Sequence, residues 1–253
     1  MRKTVRSPLA ITTLAALVLS PVALAQKPPL VSQADIIKQS APSDWRRLDP
    51  REHPGHGDQR PASHPGTGYH ALRPKHAANI RTLAREGYYT GSAVVRVQDN
   101  YVTQWADPAD EEKEKDKVKP KQGTALANLP AEFSIPFKGL PLTRFTDPDG
   151  WAPVSGFVDG MPVAANPAKN QAWLAHCYGM VGAARSTKPD SSNGTSLYAI
   201  NGQAPRALDL NITVVGRVVK GMEVLSSLPR GPGAMGFYDK PERYVPITQR
   251  ADC

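Results

Sequence analysis

Proline and glycine recur so often along this chain that it cannot be built on long helices. The 253 residues include 25 Pro and 20 Gly, and a proline inside a helix removes a backbone donor and clashes with the preceding turn. Punctuation of this kind favours many short strands joined by turns. An apolar content of 40% with 21% charged residues belongs to an ordinary globular protein, and the length holds one large domain or two small ones.

The first 25 residues stand apart. Arg2, Lys3 and Arg6 precede an apolar run from Leu9 to Leu19, and Ala23-Leu24-Ala25 supplies the small-x-small pattern of a cleavage site. We expect a signal peptide cut after Ala25, because the run is too short to span a bilayer comfortably. The mature chain is then exported and has no membrane association. Loss of those three cations takes the net charge from +8 to +5. No basic stripe interleaved with aromatics points to nucleic acid. Cys177 and Cys253 could pair in an oxidising compartment or remain two thiols, and the sequence leaves both open.

Residues 26–44 are polar and read as a flexible tail, with the folded domain over 45–253. Residues 51–74 are anomalous: fifteen of the 24 are Pro, Gly, His or Arg, and none is Val, Ile, Phe, Met or Trp. Such a stretch buries too little apolar area to offset its ordering entropy. Beyond it, Ala77, Ile80, Leu83 and Ala84 share one face of a helix over 76–86, closed by Gly87. Strand-like runs VVRV and YVTQW follow, separated by Gln98-Asp99-Asn100. Residues 107–123 read as a solvated mixed-charge loop, and 129–172 as loops and short strands packed on the main body. Strand signals return in CYGMVGAA, TSLYAI and NITVVGRVV, with a short helix at KGMEVLSSL and a last strand at YVPITQRADC. Many short strands with a helix near each end of the set predict a mainly β fold closed into an antiparallel barrel.

The motifs of common hydrolases, nucleotide-binding proteins and redox proteins are missing: there is no G-x-S-x-G, H-E-x-x-H, phosphate loop or C-x-x-C. Five of the six His lie between His53 and His76, but their irregular spacing does not suit a metal site. No cofactor is expected.

One pattern remains. GSAVVRVQDNYVTQWADP (91–108) resembles the signature of cyclophilin-type peptidyl-prolyl isomerases, with Arg96 at the Arg position, Tyr101 and Val102 at the Phe-Met pair, Gln104 at the Gln and Asp107 at the Asp. HAANIRTL resembles the family's first helix, and NGTSLYAI (193–200) its Asn-Gly-Ser-Gln-Phe-Phe strand, which puts Ser196 at the Gln and Tyr198 at the pocket Phe. LDLNITVVGRVVKGMEVL (208–225) resembles the segment that ends the pocket, with Leu208 on a lining position. Val181 and Gly182 fall where the family has a small residue and Asn.

The resemblance implies a closed eight-stranded barrel with two capping helices, with 107–175 as a long insertion. It implies catalysis by Arg96, Gln104 and Tyr101, and substrate binding by Val102, Val181, Gly182, Ser196, Tyr198 and Leu208. It further implies no metal, a monomer, and proline-containing segments of exported proteins as partners in the periplasm. The chain departs from the pattern at Val95, Ser196 and Ala207, which predicts a shallower pocket rim and keeps open a binding module with little turnover. The family's first two strands should precede the helix, where 51–74 lies, and they are expected to be missing or disrupted. Shifted by one base, REHPGHGDQ and SHPGTG can encode alternating strand-like sequences, so an out-of-frame reading competes with a genuine insert.

Overall fold

The computed structural model describes residues 31–45, 55–57, 64–66, 74–111 and 123–250. The expected signal peptide and Cys253 lie outside them. The chain divides into two units, Met1–Arg47 and Leu48–Cys253. Within the first, Gln33–Gln39 (α1) is helical, where the sequence suggested a flexible tail. Ser32 caps it, accepting from the Asp35 backbone N–H at 3.1 Å.

The second unit carries the strands. They are β1 (Gly55–Gly57), β2 (His64–Gly66), β3 (Ala93–Val97), β4 (Val102–Ala106), β5 (Thr143–Arg144), β6 (Val154–Val158) and β7 (Met161–Asn166). After these come β8 (Gln171–Leu174), β9 (Met180–Ala183), β10 (Leu197–Ile200), β11 (Thr213–Lys220), β12 (Val245–Pro246) and β13 (Thr248–Arg250). Among the described residues they form a seven-stranded sheet in the order β12-β3-β4-β10-β9-β11-β2, a four-stranded sheet β5-β6-β7-β8 and a pair β1-β13. All pairings are antiparallel.

Two expectations need correction. The described residues do not close into one eight-stranded barrel, because the hydrogen-bonded ladders fall into three separate sheets. Nor are the first two strands missing outright: they are disrupted, each cut to three residues. Gly55–Gly57 pairs with Thr248–Arg250, and His64–Gly66 with β11. Backbone pairing needs only N–H and C=O groups, so a poor apolar composition shortens a strand to three residues without abolishing it.

As expected, the segment 129–172 holds short strands packed on the main body, β5 to β8, the last running on to Leu174. Its sheet turns Val154, Val158, Met161, Val163, Ala165, Ala172 and Leu174 inward against Val102, Met180, Tyr198, Ile200 and Val214 of the large sheet. The other face of the large sheet packs under a helix, Pro74–Arg85 (α2), which buries Ile80, Leu83 and Ala84 with Val94, Trp105, Val181, Leu197 and Val215. The period-2 alternation is visible along β10, where Leu197 and Ala199 join the helix-side core while Tyr198 and Ile200 face the smaller sheet. The large sheet is therefore buried on both faces, and a polar side chain facing the smaller sheet needs a partner.

Candidate active site

The site begins with an irregularity in β3. Val94 pairs with Trp105 and Arg96 with Gln104, so β3 advances two residues while β4 advances one. This bulge absorbs Val95 and turns Arg96 to the same face as Gln104. The register then continues as one row across the sheet: Arg96 beside Gln104, Gln104 beside Tyr198, and Tyr198 beside Gly182.

Along that row the side chains are connected. Arg96 Nη1 donates to Gln104 Oε1 at 3.2 Å, Nε to the Met235 carbonyl at 2.7 Å, and Nη2 to Gln98 Oε1. Its guanidinium also lies 5.4 Å from the Tyr101 ring centroid and 5.2 Å from that of Phe237. Hydrogen bonds in the guanidinium plane and aromatic rings beside it hold the fork in one orientation. Gln104 Nε2 in turn donates to Ser196 Oγ at 3.2 Å.

Beside this row opens a cavity of about 210 Å³, lined by Tyr101, Val102, Tyr198, Leu208, Ile212 and Phe237, with Arg96, Gln104, Ala184, Arg185 and Met235 at its polar and outer parts. A cavity of that size with apolar walls suits one small ring.

Of the residues expected from sequence, Arg96, Tyr101, Val102, Gln104, Tyr198 and Leu208 come together here. Ser196 stands behind them on Gln104. Val181 does not belong to the site: it points the opposite way, into the core beneath α2. Gly182 lies under Tyr198 rather than on the cavity wall. The wall positions are Ala184 and Arg185, three residues along the chain from the expected pair. Met235 and Phe237 were not anticipated either. They come from the Gly- and Pro-rich stretch 231–237, which carries no periodic signal, and Phe237 forms a backbone bridge with Arg96.

Gly182 has a steric role. A Cβ there would sit 2.2 Å from the Tyr198 ring, far inside contact distance. Tyr198 cannot retreat easily, because it is 3% exposed and its hydroxyl is hydrogen-bonded to His176. We therefore expect Gly182→Ala to push the ring into the cavity, costing about 1–3 kcal/mol of stability and raising KM for a proline peptide. Thermal unfolding and steady-state kinetics check it; an unchanged KM with an unchanged Tm would contradict this packing.

Behind Tyr198 runs a chain of polar groups. The Tyr198 hydroxyl meets His176 Nε2 at 3.0 Å, His176 Nδ1 meets Asp209 Oδ1 at 2.9 Å, and the His176 backbone N–H donates to the same oxygen at 2.8 Å. Arg206 joins Asp209 at 2.9 Å and Asp149 at 2.8 Å. Burial pushes the Tyr198 phenol far above its ordinary range, so the hydroxyl stays protonated where it shares a hydrogen bond with His176. Burial also raises the Asp209 carboxyl, but the bonds from His176 and the charge of Arg206 outweigh it and leave the net shift downward.

A bulged β-hairpin presenting a clamped Arg beside a ring-sized apolar cavity, on an antiparallel β fold, defines a class of protein that holds a small ring against a fixed guanidinium. Comparison with known proteins gives the class its family. Residues 69–251 match the family described as "Cyclophilin type peptidyl-prolyl cis-trans isomerase/CLD". Proteins named "Probable peptidyl-prolyl cis-trans isomerase" from Brucella abortus (strain 2308) and Brucella suis biovar 1 (strain 1330) are each 30% identical over 185 residues, covering 72% of this chain and 74% of the relative. The crystal structure of cyclophilin AquaCyp293 from Hirschia baltica superposes with a TM-score of 0.63 at 20% identity, over 87% of this chain and 79% of that one, which supports the fold. The chain belongs to the cyclophilin-type peptidyl-prolyl cis-trans isomerases, and it is an isomerase.

Proposed function

We propose that the protein catalyses cis-trans isomerisation at proline in exported polypeptides, in the periplasm, with Arg96 as its central catalytic group. The observation that carries this reading is Arg96 fixed by three hydrogen bonds beside a ring-sized apolar cavity. An X-Pro bond resists rotation because amide resonance gives it partial double-bond character, with a barrier of roughly 18–20 kcal/mol. Catalysis then requires only that the twisted bond be held better than either planar form. Tyr101, Val102, Tyr198 and Leu208, with Ile212 and Phe237, would seat the proline ring. Arg96 would donate to the prolyl nitrogen as it pyramidalises and loses resonance with the carbonyl. Gln104 orients Arg96, and Ser196 orients Gln104.

The export half of the proposal rests on the leader read from the sequence. Fractionation of an expressing cell is expected to recover the protein in the periplasm with Gln26 as its first residue. A cytoplasmic chain that retains Met1 would overturn the location. For the chemistry, the purified protein is expected to speed the cis-to-trans step of a proline test peptide, which otherwise takes roughly 10–100 s. Binding of that peptide without any acceleration would replace the isomerase reading with that of a proline-segment binder.

A further inference from the structure

The wall of the cavity carries a second arginine that the reaction does not need. Arg185 stands two residues past the end of β9, is half-buried, and lines the same cavity as Arg96. Its donors go to neutral oxygens: Nε to the Asn211 carbonyl at 3.1 Å, Nη2 to Asn211 Oδ1 at 2.5 Å, and Nη1 to the carbonyls of Ser186 and Thr187 at 2.8 and 3.0 Å. These bonds hold the guanidinium in place without neutralising it. Among the described residues lining the cavity none is acidic. Asp209, behind the Tyr198 wall, is already committed to His176 and Arg206.

A fixed, unneutralised cation at the edge of a small apolar cavity selects by charge. Anything seated there places the residues adjoining its ring near two guanidinium groups. A lysine at that position would be repelled, and a carboxylate attracted.

Resting on the proline-isomerase reading, we propose that this pocket prefers proline segments carrying Asp or Glu next to the proline, and that Arg185 is the residue that reads the carboxylate. Arg185 is a specificity-determining group, and the twisting of the bond remains the work of Arg96.

The test uses six test peptides identical except beside the proline. Three carry Glu, Gln or Lys immediately before it, and three carry the same set immediately after it. Isomerisation of each is measured at low salt with the purified protein and with Arg185→Gln and Arg185→Lys. For at least one position the Glu peptide is expected to exceed the Gln peptide in kcat/KM by about fivefold, the upper end for a partly exposed pair, with the Lys peptide below Gln. In Arg185→Gln that Glu/Gln ratio falls to near one, while Arg185→Lys keeps part of it. Raising salt to about 0.5 M shrinks the wild-type ratio, since screening acts on such a pair.

A wild-type Glu/Gln ratio near one at both positions overturns the proposal while leaving the isomerase reading intact. A ratio that survives in Arg185→Gln shows that another group reads the charge and overturns it as well. Failure to turn over any of the six peptides is the separate result that strikes the isomerase reading itself. If Arg185→Gln does not fold, the Lys variant and the salt series decide the outcome.

Discussion

Arg96→Ala is expected to lower kcat/KM for a proline test peptide by about 10²- to 10³-fold, the loss seen when one donor aimed at a developing charge is removed, with the protein still folded. The size follows from Arg96 being the cavity donor on the Gln104–Tyr198 row, since the donors of Arg185 are taken up by Asn211, Ser186 and Thr187. Gln104 touches the cavity but already has Ser196 and Arg96 as partners, and the remaining walls are mostly apolar. No other described donor is set against the cavity by bonds to Met235, Gln98 and Gln104 together. Arg96→Lys is expected to recover little, because an ammonium cannot make the fork that bonds Met235, Gln98 and Gln104 together. Folding is checked by thermal melting and activity by peptide isomerisation. A folded Arg96→Ala protein within about threefold of wild type would show that shape alone accelerates the bond.

The bulged hairpin makes clear why Arg96 could be found from sequence. Its position is fixed locally, by a strand-turn-strand unit in which Arg96 and Gln104 lie eight residues apart and meet across the turn at Gln98-Asp99-Asn100. The helix at Pro74–Arg85 was legible for the same reason, since a 3.6-residue period is written into a short stretch. Long-range placement was not. In CYGMVGAAR the four residues Val181 to Ala184 are small and apolar, so nothing in the run marks which of them face the cavity, and the sequence points to Val181 and Gly182 where the wall is Ala184 and Arg185. The hairpin of β7 and β8 is obscured in the sequence by Pro162 and Pro167, which mark the two ends of β7 rather than break it. Phe237 reaches the site only because its loop folds back along β3, with the Tyr238 N–H on the Val95 carbonyl and the Gly231 N–H on the Val97 carbonyl. His76, within the His-rich stretch, is held by Glu132 at 2.7 Å. His176, isolated in the sequence, proves to be tied to the pocket.

That isolated histidine leads to the second large effect. Asp209→Ala is expected to cost about 3–5 kcal/mol of stability, the usual penalty for breaking a buried charged pair from one side. The substitution removes the acceptor for the His176 ring, the His176 backbone and Arg206 at once. His176 is 0% exposed, and the Asp209 and Arg206 side chains are 7% and 14% exposed, so water cannot readily replace those bonds. Tyr198→Phe should cost less, about 1–3 kcal/mol, because only His176 Nε2 loses a partner while the ring still floors the cavity. A pH dependence follows from the same carboxyl. Asp209 is held below its ordinary value of 3.8 in the folded protein, so the native state binds its proton less readily than the unfolded chain does. Its contribution is complete above pH ~4 and is lost as the pH falls through the lower folded value. Denaturant unfolding at neutral pH and along an acid series measures both effects. The wild-type protein should lose stability more steeply below pH 4 than Asp209→Ala does. Equal acid slopes, or a neutral-pH difference below about 1 kcal/mol, would mean that Tyr198 is positioned by packing alone and that the polar chain behind the pocket contributes little.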